Sequence, residues 1–280
     1  MNLWKERNFT PMLLSEVKKP FNDKDYIYEM KFDGYRALVF ASKSEIKIKS
    51  RNNKDITALY PGLQNIKKIV KGNVIFDGEI IAEENGVPSF KKLQKISQKK
   101  VKSKNDPVVF MAFDILYEGK NLTNQPLMKR KELLEKYPNT FEFVKAKYIE
   151  EKGMELFEVV KDKQLEGIVA KKKNGKYHLN SRTDDFIKIK NILREEFYII
   201  GYQENKNNSI SLLLGQEKNE YVGKVIVSKK KEISRKVLAL KKVKIIDNKV
   251  LVTPKYKAIV DYLERTDAMR LRHPIFIDYE

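Results

Sequence analysis

Five charged residues interrupt or border apolar runs that otherwise read as buried strands: Lys31, Glu79, Glu166, Lys188 and Lys190. A charged side chain on a buried strand is costly unless a partner offsets it. The chain must therefore fold so that several strand ends converge and these charges meet each other or a charged ligand. Any one of the five, taken alone, also fits a solvated strand end or a structural ion pair. Two carboxylates and three lysines in this order fit better as a site for a polyphosphate with a divalent metal.

The surrounding patterns describe a mixed α+β region followed by a different texture. Residues 26–32 and 35–41 are strand-like on either side of Asp33-Gly34, a strong hairpin signal. Residues 45–50 alternate, and 59–70 carry Leu63, Ile66 and Val70 at helical spacing. A long apolar run at 73–83 is broken by Asp77-Gly78-Glu79, and 107–116 reads as another buried strand. Residues 127–137 and 150–163 read as helices, and 167–172 and 185–190 as strands. From about Leu193 the candidates become short strands at 196–203, 209–216, 221–227, 250–253 and 257–264, with a basic helix at 229–242. Short strands around one inserted helix suit a small β-barrel of the oligonucleotide-binding (OB) type. With the charged stretch 190–196 as the boundary, the expected domains are 1–192 and 193–280.

Composition narrows the chemistry. The 57 Lys+Arg outnumber 38 Asp+Glu, a net charge of +19. That excess favours a polyanionic partner, nucleic acid above all, although lysine-biased composition alone also yields it. Cysteine is absent, which excludes disulfides, thiolate zinc sites and cysteine nucleophiles. With only His178 and His273 as imidazoles, a metal is expected to be Mg²⁺ or Mn²⁺ on carboxylates and phosphate oxygens. Residues 1–10 lack an apolar signal core and no stretch has membrane-spanning length, so the expectation is a soluble, cytoplasmic protein without a membrane partner.

At this point the residues resemble a family. Glu29-Met30-Lys31-Phe32-Asp33-Gly34-Tyr35-Arg36 resembles the nucleophile motif of ATP-dependent DNA ligases and related nucleotidyltransferases. Companion motifs follow in the family's order: Ser50-Arg51-Asn52, Asp77-Gly78-Glu79, the strand from Phe110 through Phe113 to Leu116, Glu166-Gly167-Ile168-Val169-Ala170-Lys171, and Phe186-Ile187-Lys188-Ile189-Lys190. Pro11-Met12-Leu13, Gln125-Pro126-Leu127 with Arg130-Lys131, and Leu271-Arg272-His273-Pro274 are most similar to the ligase domain of bacterial non-homologous end-joining ligases and their small stand-alone relatives.

The resemblance implies a nucleotidyltransferase (adenylation) domain followed by an OB-fold domain. It implies that Lys31 attacks the α-phosphate of ATP and carries AMP. A lysine amine becomes a nucleophile only once its proton has left. Arg36 and Arg51 would bind the sugar and phosphates, where a fork-shaped guanidinium suits oxyanions. Glu79 would orient the ribose or a metal-bound water, and Glu166 would help place Mg²⁺. Phe113 would stack on the adenine, although it also fits a core aromatic. Lys188 and Lys190 would bind the α-phosphate and stabilise charge in the transition state. Arg182 aligns with an arginine just upstream of the two-lysine motif. The resemblance puts Glu29 beside the adenine, with its side chain free to form a surface pair. Lys171 to Lys173 read as a solvated charge run or a contact to duplex phosphates.

The implied partner is nicked duplex DNA, with a Ku-type end-binding protein by analogy and a monomer as the family's state. RNA ligases and mRNA-capping guanylyltransferases share the nucleophile logic and remain the alternative, as does a binding module with a dead site. The chain departs from the family at its end. After Pro274-Ile275-Phe276 it reads Ile277-Asp278-Tyr279-Glu280, without the basic Arg-x-Asp-Lys motif that orients pyrophosphate. Slow self-adenylylation is the expectation. About ten residues precede the catalytic module, so DNA would be gripped without a separate encircling domain.

Overall fold

The computed structural model describes residues 2–84, 86–217, 220–266 and 268–280. Contacts divide the chain into two units, Met1–Lys190 and Asn191–Glu280. Strands of the first unit are β1 (Leu13–Val17), β2 (Tyr26–Met30), β3 (Tyr35–Ala41), β4 (Ile46–Ser50), β5 (Val74–Glu84), β6 (Val87–Pro88), β7 (Val108–Glu118), β8 (Phe143–Lys145), β9 (Tyr148–Glu150), β10 (Gly167–Lys172) and β11 (Arg182–Lys190). Its helices are α1 (Leu3–Glu6), α2 (Phe90–Gln98), α3 (Leu127–Glu135) and α4 (Gly153–Asp162).

Among the described residues these strands form two sheets. One has the order β1-β11-β10-β2-β9, and the other β4-β3-β5-β7-β8 with β6 on β5. Strand β3 shows why they stack. Ala37, Val39 and Ala41 face one cluster, with Leu63, Ile66, Leu93 and Ile96, while Leu38 and Phe40 face another, with Met12, Ile27 and Phe186. Alternate residues on a strand point to opposite faces, so a strand apolar at every position is covered on both. The second cluster is the layer between the two sheets. On the outer face of the β1–β11 sheet, Phe157 and Val160 of α4 pack with Tyr28, Ile168 and Ile187.

Two local expectations change. The strands flanking Asp33-Gly34 do not form a hairpin: β2 pairs with β10 and β9, and β3 with β4 and β5. The two-residue turn that closes such a hairpin needs left-handed backbone at its centre, and neither Asp33 nor Gly34 has positive φ. The segment instead carries the chain from one sheet to the other. The 59–70 segment is 3₁₀ rather than α, over Pro61–Ile69. Leu63 and Ile66 are buried and Ile69 packs against the same cluster. A spacing of three residues matches the 3₁₀ turn.

The second unit comprises β12 (Leu193–Glu204), β13 (Ser209–Gly215), β14 (Tyr221–Ser228), α5 (Glu232–Leu238), β15 (Lys242–Ile246), β16 (Lys249–Val252), β17 (Lys257–Tyr262) and β18 (Ile275–Tyr279). Phe197, Ile199, Leu212, Leu214, Val225 and Val227 form its core with Ile233 and Val237 of α5. The small barrel expected from the sequence is met among the described residues by strands that form one sheet without closing it. Strand β12 pairs with β13 on one edge and shares the other between β17 and β16. Among the described residues no ladder joins β14 to β15 or β18, so the sheet stays open. Near that gap the Leu271 N–H donates to the Val222 carbonyl at 2.8 Å, outside any ladder. No helix among the described residues is long and apolar enough to cross a membrane.

Candidate active site

Lys31 lies just beyond β2, where its backbone N–H donates to the Gly167 carbonyl at 2.9 Å. That bond sets the amine beside the residue preceding β10. Lys31 Nζ is 2.6 Å from Glu166 Oε1, with the two side chains 20% and 14% exposed. Gly34 lets the same segment press against β5. A Cβ there would lie 2.2 Å from the Ile80 carbonyl oxygen and 2.9 Å from Glu79 Cγ.

Arg36 on β3 is opposite Glu79 on β5 in the ladder. Its Nε and Nη2 donate to Asp77 Oδ1 and Oδ2 at 3.1 and 2.7 Å, and the Tyr177 hydroxyl donates to Oδ2 at 2.6 Å. Burial alone would favour a neutral guanidinium, but Asp77 and Tyr177 outweigh it and hold the Arg36 pKa above its ordinary value. Burial pushes the Glu79 carboxyl up to about 8, against the opposing pull of Lys31 and Arg36. The Glu79 carboxyl is thus held well above the ordinary carboxylate range.

On β11, Lys188 and Lys190 alternate and so share a face. Lys188 Nζ is 3.0 Å and Lys190 Nζ 3.2 Å from the two carboxylate oxygens of Glu16 on β1. Arg182, at the start of β11, donates to the Leu14 carbonyl. Arg51, exposed in the turn after β4, is fixed through its backbone N–H, which donates to the Arg36 carbonyl at 3.1 Å.

The Glu29 side chain is buried rather than in a surface pair, at 2% exposed. One oxygen accepts from Lys131, and the other lies 2.7 Å from Lys171 Nζ. Lys171 thus leaves the solvated run expected of it. Its ammonium sits 4.1 Å from the centroid of Phe113 and 5.1 Å from that of Phe186. Burial pushes its pKa down to about 8, and Glu29 limits the fall. Nearby, Arg130 and Asp114 are both wholly buried and form a two-pronged pair with contacts of 2.8 Å.

All ten residues singled out in the sequence line one cavity of about 650 Å³: Glu29, Lys31, Arg36, Arg51, Glu79, Phe113, Glu166, Arg182, Lys188 and Lys190. Its size lies within the ordinary range for small-molecule sites. Its wall combines cations from five strands or their ends with the apolar surfaces of Phe113, Val169 and Phe186. A ligand with a planar apolar part and a polyanionic part matches both kinds of wall. Glu79 and Glu166 are the acids in that wall able to reach a metal, and no group of three or more His, Cys, Asp or Glu forms a ready-made cage among the described residues. Mg²⁺ habitually takes one or two carboxylates and completes its shell with water and substrate phosphates, so the donor set fits it.

Asp77, Lys131, Asp114, Arg130 and Glu16 were given no role from the sequence, and Lys171 was given a different one. Asp77 did carry the signal that singled out Glu79, a charge inside an apolar run. Lys131 was visible only as part of the Arg130-Lys131 resemblance and Glu16 carried no signal, because their partners lie on strands far away in the chain.

Comparison with known proteins agrees with this geometry. The family model described as ATP dependent DNA ligase domain matches residues 11–190. The SPbeta prophage-derived DNA ligase-like protein LigB of Bacillus subtilis is 34% identical over 69% of this chain and 71% of its own length. The multifunctional non-homologous end joining protein LigD of Mycolicibacterium smegmatis is 30% identical over 95% of this chain, which spans 38% of LigD. A solved structure of mycobacterial DNA ligase D complexed with ATP and MES superposes with a TM-score of 0.63 at 25% identity, covering 98% of this chain and 96% of that one. A family match spanning the whole cavity wall, a relative 34% identical and a solved structure matched over nearly the whole chain place this chain in the ATP-dependent DNA ligase family.

Proposed function

We propose that the chain seals nicks with a 5′-phosphate and a 3′-hydroxyl in duplex DNA, through a lysyl-AMP intermediate on Lys31. The observation that carries this reading is the Lys31 amine in a cavity that also holds Glu166, Glu79, Phe113 and the Lys188/Lys190 pair. Attack needs the amine lone pair, and the Glu166 carboxylate at 2.6 Å is in reach of the departing proton. The Nζ–phosphorus bond forms as the bond from the α-phosphorus to the pyrophosphate oxygen breaks. Lys188 and Lys190 offset the charge that builds on the α-phosphate oxygens. The DNA 5′-phosphate then attacks the same phosphorus and releases the Lys31 amine, which recovers a proton. Finally the 3′-hydroxyl attacks the 5′-phosphorus and AMP leaves. Arg36, Arg51 and Arg182 would hold sugar and phosphate oxygens, Glu29 would flank the adenine and Phe113 would stack on it. Glu79 and Glu166 would hold Mg²⁺ or Mn²⁺, which supplies charge neutralisation at the phosphates when bound.

On this reading residues 1–192 act as the adenylation domain and 193–280 as an OB-type module that grips the duplex. The protein works as a monomer, and the end-joining relatives make a Ku-type end-binding protein the partner to test. The deciding experiment incubates the protein with α-labelled ATP and Mg²⁺, then chases with nicked DNA. A covalent label that forms on the wild type, passes to DNA and is absent in Lys31→Ala supports the reading. Label persisting in Lys31→Ala, or passing only to RNA ends, overturns it.

A further inference from the structure

The two lysines at the end of β11 share one carboxylate of the protein itself. Glu16 on β1 stands in register with Lys188 on the neighbouring parallel strand. Each of its carboxylate oxygens meets one ammonium, at 3.0 Å from Lys188 and 3.2 Å from Lys190. Two oxygens on one atom, bridging two ammonium groups, is also how two oxygens of a phosphate would sit. We propose that Glu16 is an internal competitor for the phosphate-binding lysine pair, displaced when the phosphates of ATP arrive. The proposal rests on the reading that Lys188 and Lys190 receive the α-phosphate.

Three observations carry it. First, both lysines line the cavity, whereas Glu16 does not. Their flexible four-carbon stems can swing from one anion to the other without moving β11. Second, the contact is weak enough to exchange. Glu16 is 40% exposed and the lysines 23% and 27%, and ion pairs this accessible to water contribute little net free energy. Third, Lys31 is likewise paired, with Glu166. All three lysines proposed to meet the nucleotide therefore already contact a carboxylate of the protein itself, with one positive charge left over.

The sign of the effect follows. Removing the Glu16 charge leaves two ammonium groups that water can already reach, so the strand edge does not lose a pair it needs for stability. The local charge rises by one unit, and the attraction for a polyphosphate rises with it. Glu16→Gln keeps the side chain's shape and removes only the competing charge.

The test measures ATP dissociation constants by calorimetry in a Lys31→Ala background, where chemistry is blocked. Glu16→Gln is expected to tighten ATP binding by about 2–5-fold at low salt, with the gain shrinking as salt screens it. In the Lys31-intact protein the same change is expected to lower the KM for ATP in self-adenylylation while kcat stays within about twofold. An unchanged or weakened ATP affinity in Glu16→Gln overturns the proposal. A Lys188→Ala/Lys190→Ala variant separates the two failures. If it still binds ATP and self-adenylylates normally, the lysine assignment falls and the Glu16 proposal falls with it. If it loses ATP affinity while Glu16→Gln gains none, only the proposal falls. Within the Lys188→Ala/Lys190→Ala background, Glu16→Gln is expected to have no effect.

Discussion

Most charged residues in the first unit's interior work in pairs, and the pairing decides what each substitution does. Arg130 and Asp114 are both wholly buried, so removing one partner leaves an uncompensated charge in an apolar surrounding. Arg130→Ala is expected to lower stability by about 3–5 kcal/mol, and replacing both by apolar residues of similar volume to recover most of that loss. Chemical denaturation of the two single variants and the double variant measures the difference. Glu79 behaves otherwise, because burial rather than a partner dominates and lifts its carboxyl to about 8. Between the unfolded value near 4.5 and about 8, the folded state binds more protons than the unfolded chain. Stability from this group is therefore present below the unfolded pKa and lost as pH rises through that window. Glu79→Gln has no such slope, so its stability relative to wild type is expected to rise from pH 5 to pH 8 in urea titrations without metal. A constant difference across that range would show that Glu79 titrates normally.

The turn at Asp33-Gly34 shows what a local pattern can and cannot say about an element. Both flanking strands were legible, since each is apolar and bounded by polar residues. Their pairing was not, because an Asp-Gly turn signal is the same whether the strands lie in one sheet or two. What settles it is the Lys31 N–H on Gly167 on one side and the Gly34 backbone against Ile80 on the other. Gly34→Ala would place a Cβ 2.2 Å from a backbone oxygen, so the segment carrying Lys31 must shift. A displacement of about 1 Å at a reacting group lowers rate by on the order of 10²-fold. Self-adenylylation of Gly34→Ala is expected to fall by about that factor while circular dichroism stays native-like. The 3₁₀ stretch Pro61–Ile69 teaches a similar lesson. The apolar spacing of Leu63, Ile66 and Val70 was visible, but an i, i+3 step fits both an α-helix and a 3₁₀ turn, and the segment that packs against β4 and β7 takes the tighter one.

For the whole molecule, the net charge of +19 makes a prediction independent of the chemistry. If duplex DNA contacts several lysines, its affinity is expected to fall by roughly 10³-fold between 50 and 200 mM salt, as counterions released from about six phosphates compete. Fluorescence anisotropy with a nicked duplex across that range tests it, and a flat response would mean that charge plays no part in the grip. Of the ten cavity-lining residues singled out, Lys31, Glu79, Glu166, Lys188 and Lys190 were legible as charges in or beside apolar runs, and the other five through the family resemblance. On the proposed function, a nucleophilic amine, forked cations for oxyanions and an aromatic platform leave few substitutes for those residue types. Whether the second unit closes into a barrel was not legible, since strand lengths and spacing are the same for an open and a closed sheet. Nor were the partners that hold the site in place. Asp77 beneath Arg36, Lys131 on Glu29 and Glu16 across Lys188 and Lys190 join residues up to 174 positions apart in the chain. The sequence by itself determined which side chains line the cavity and most of the strands that carry them. Only the tertiary structure decided which carboxylate neutralises which cation, because an ion pair depends on distance in space and leaves no periodic trace along the chain.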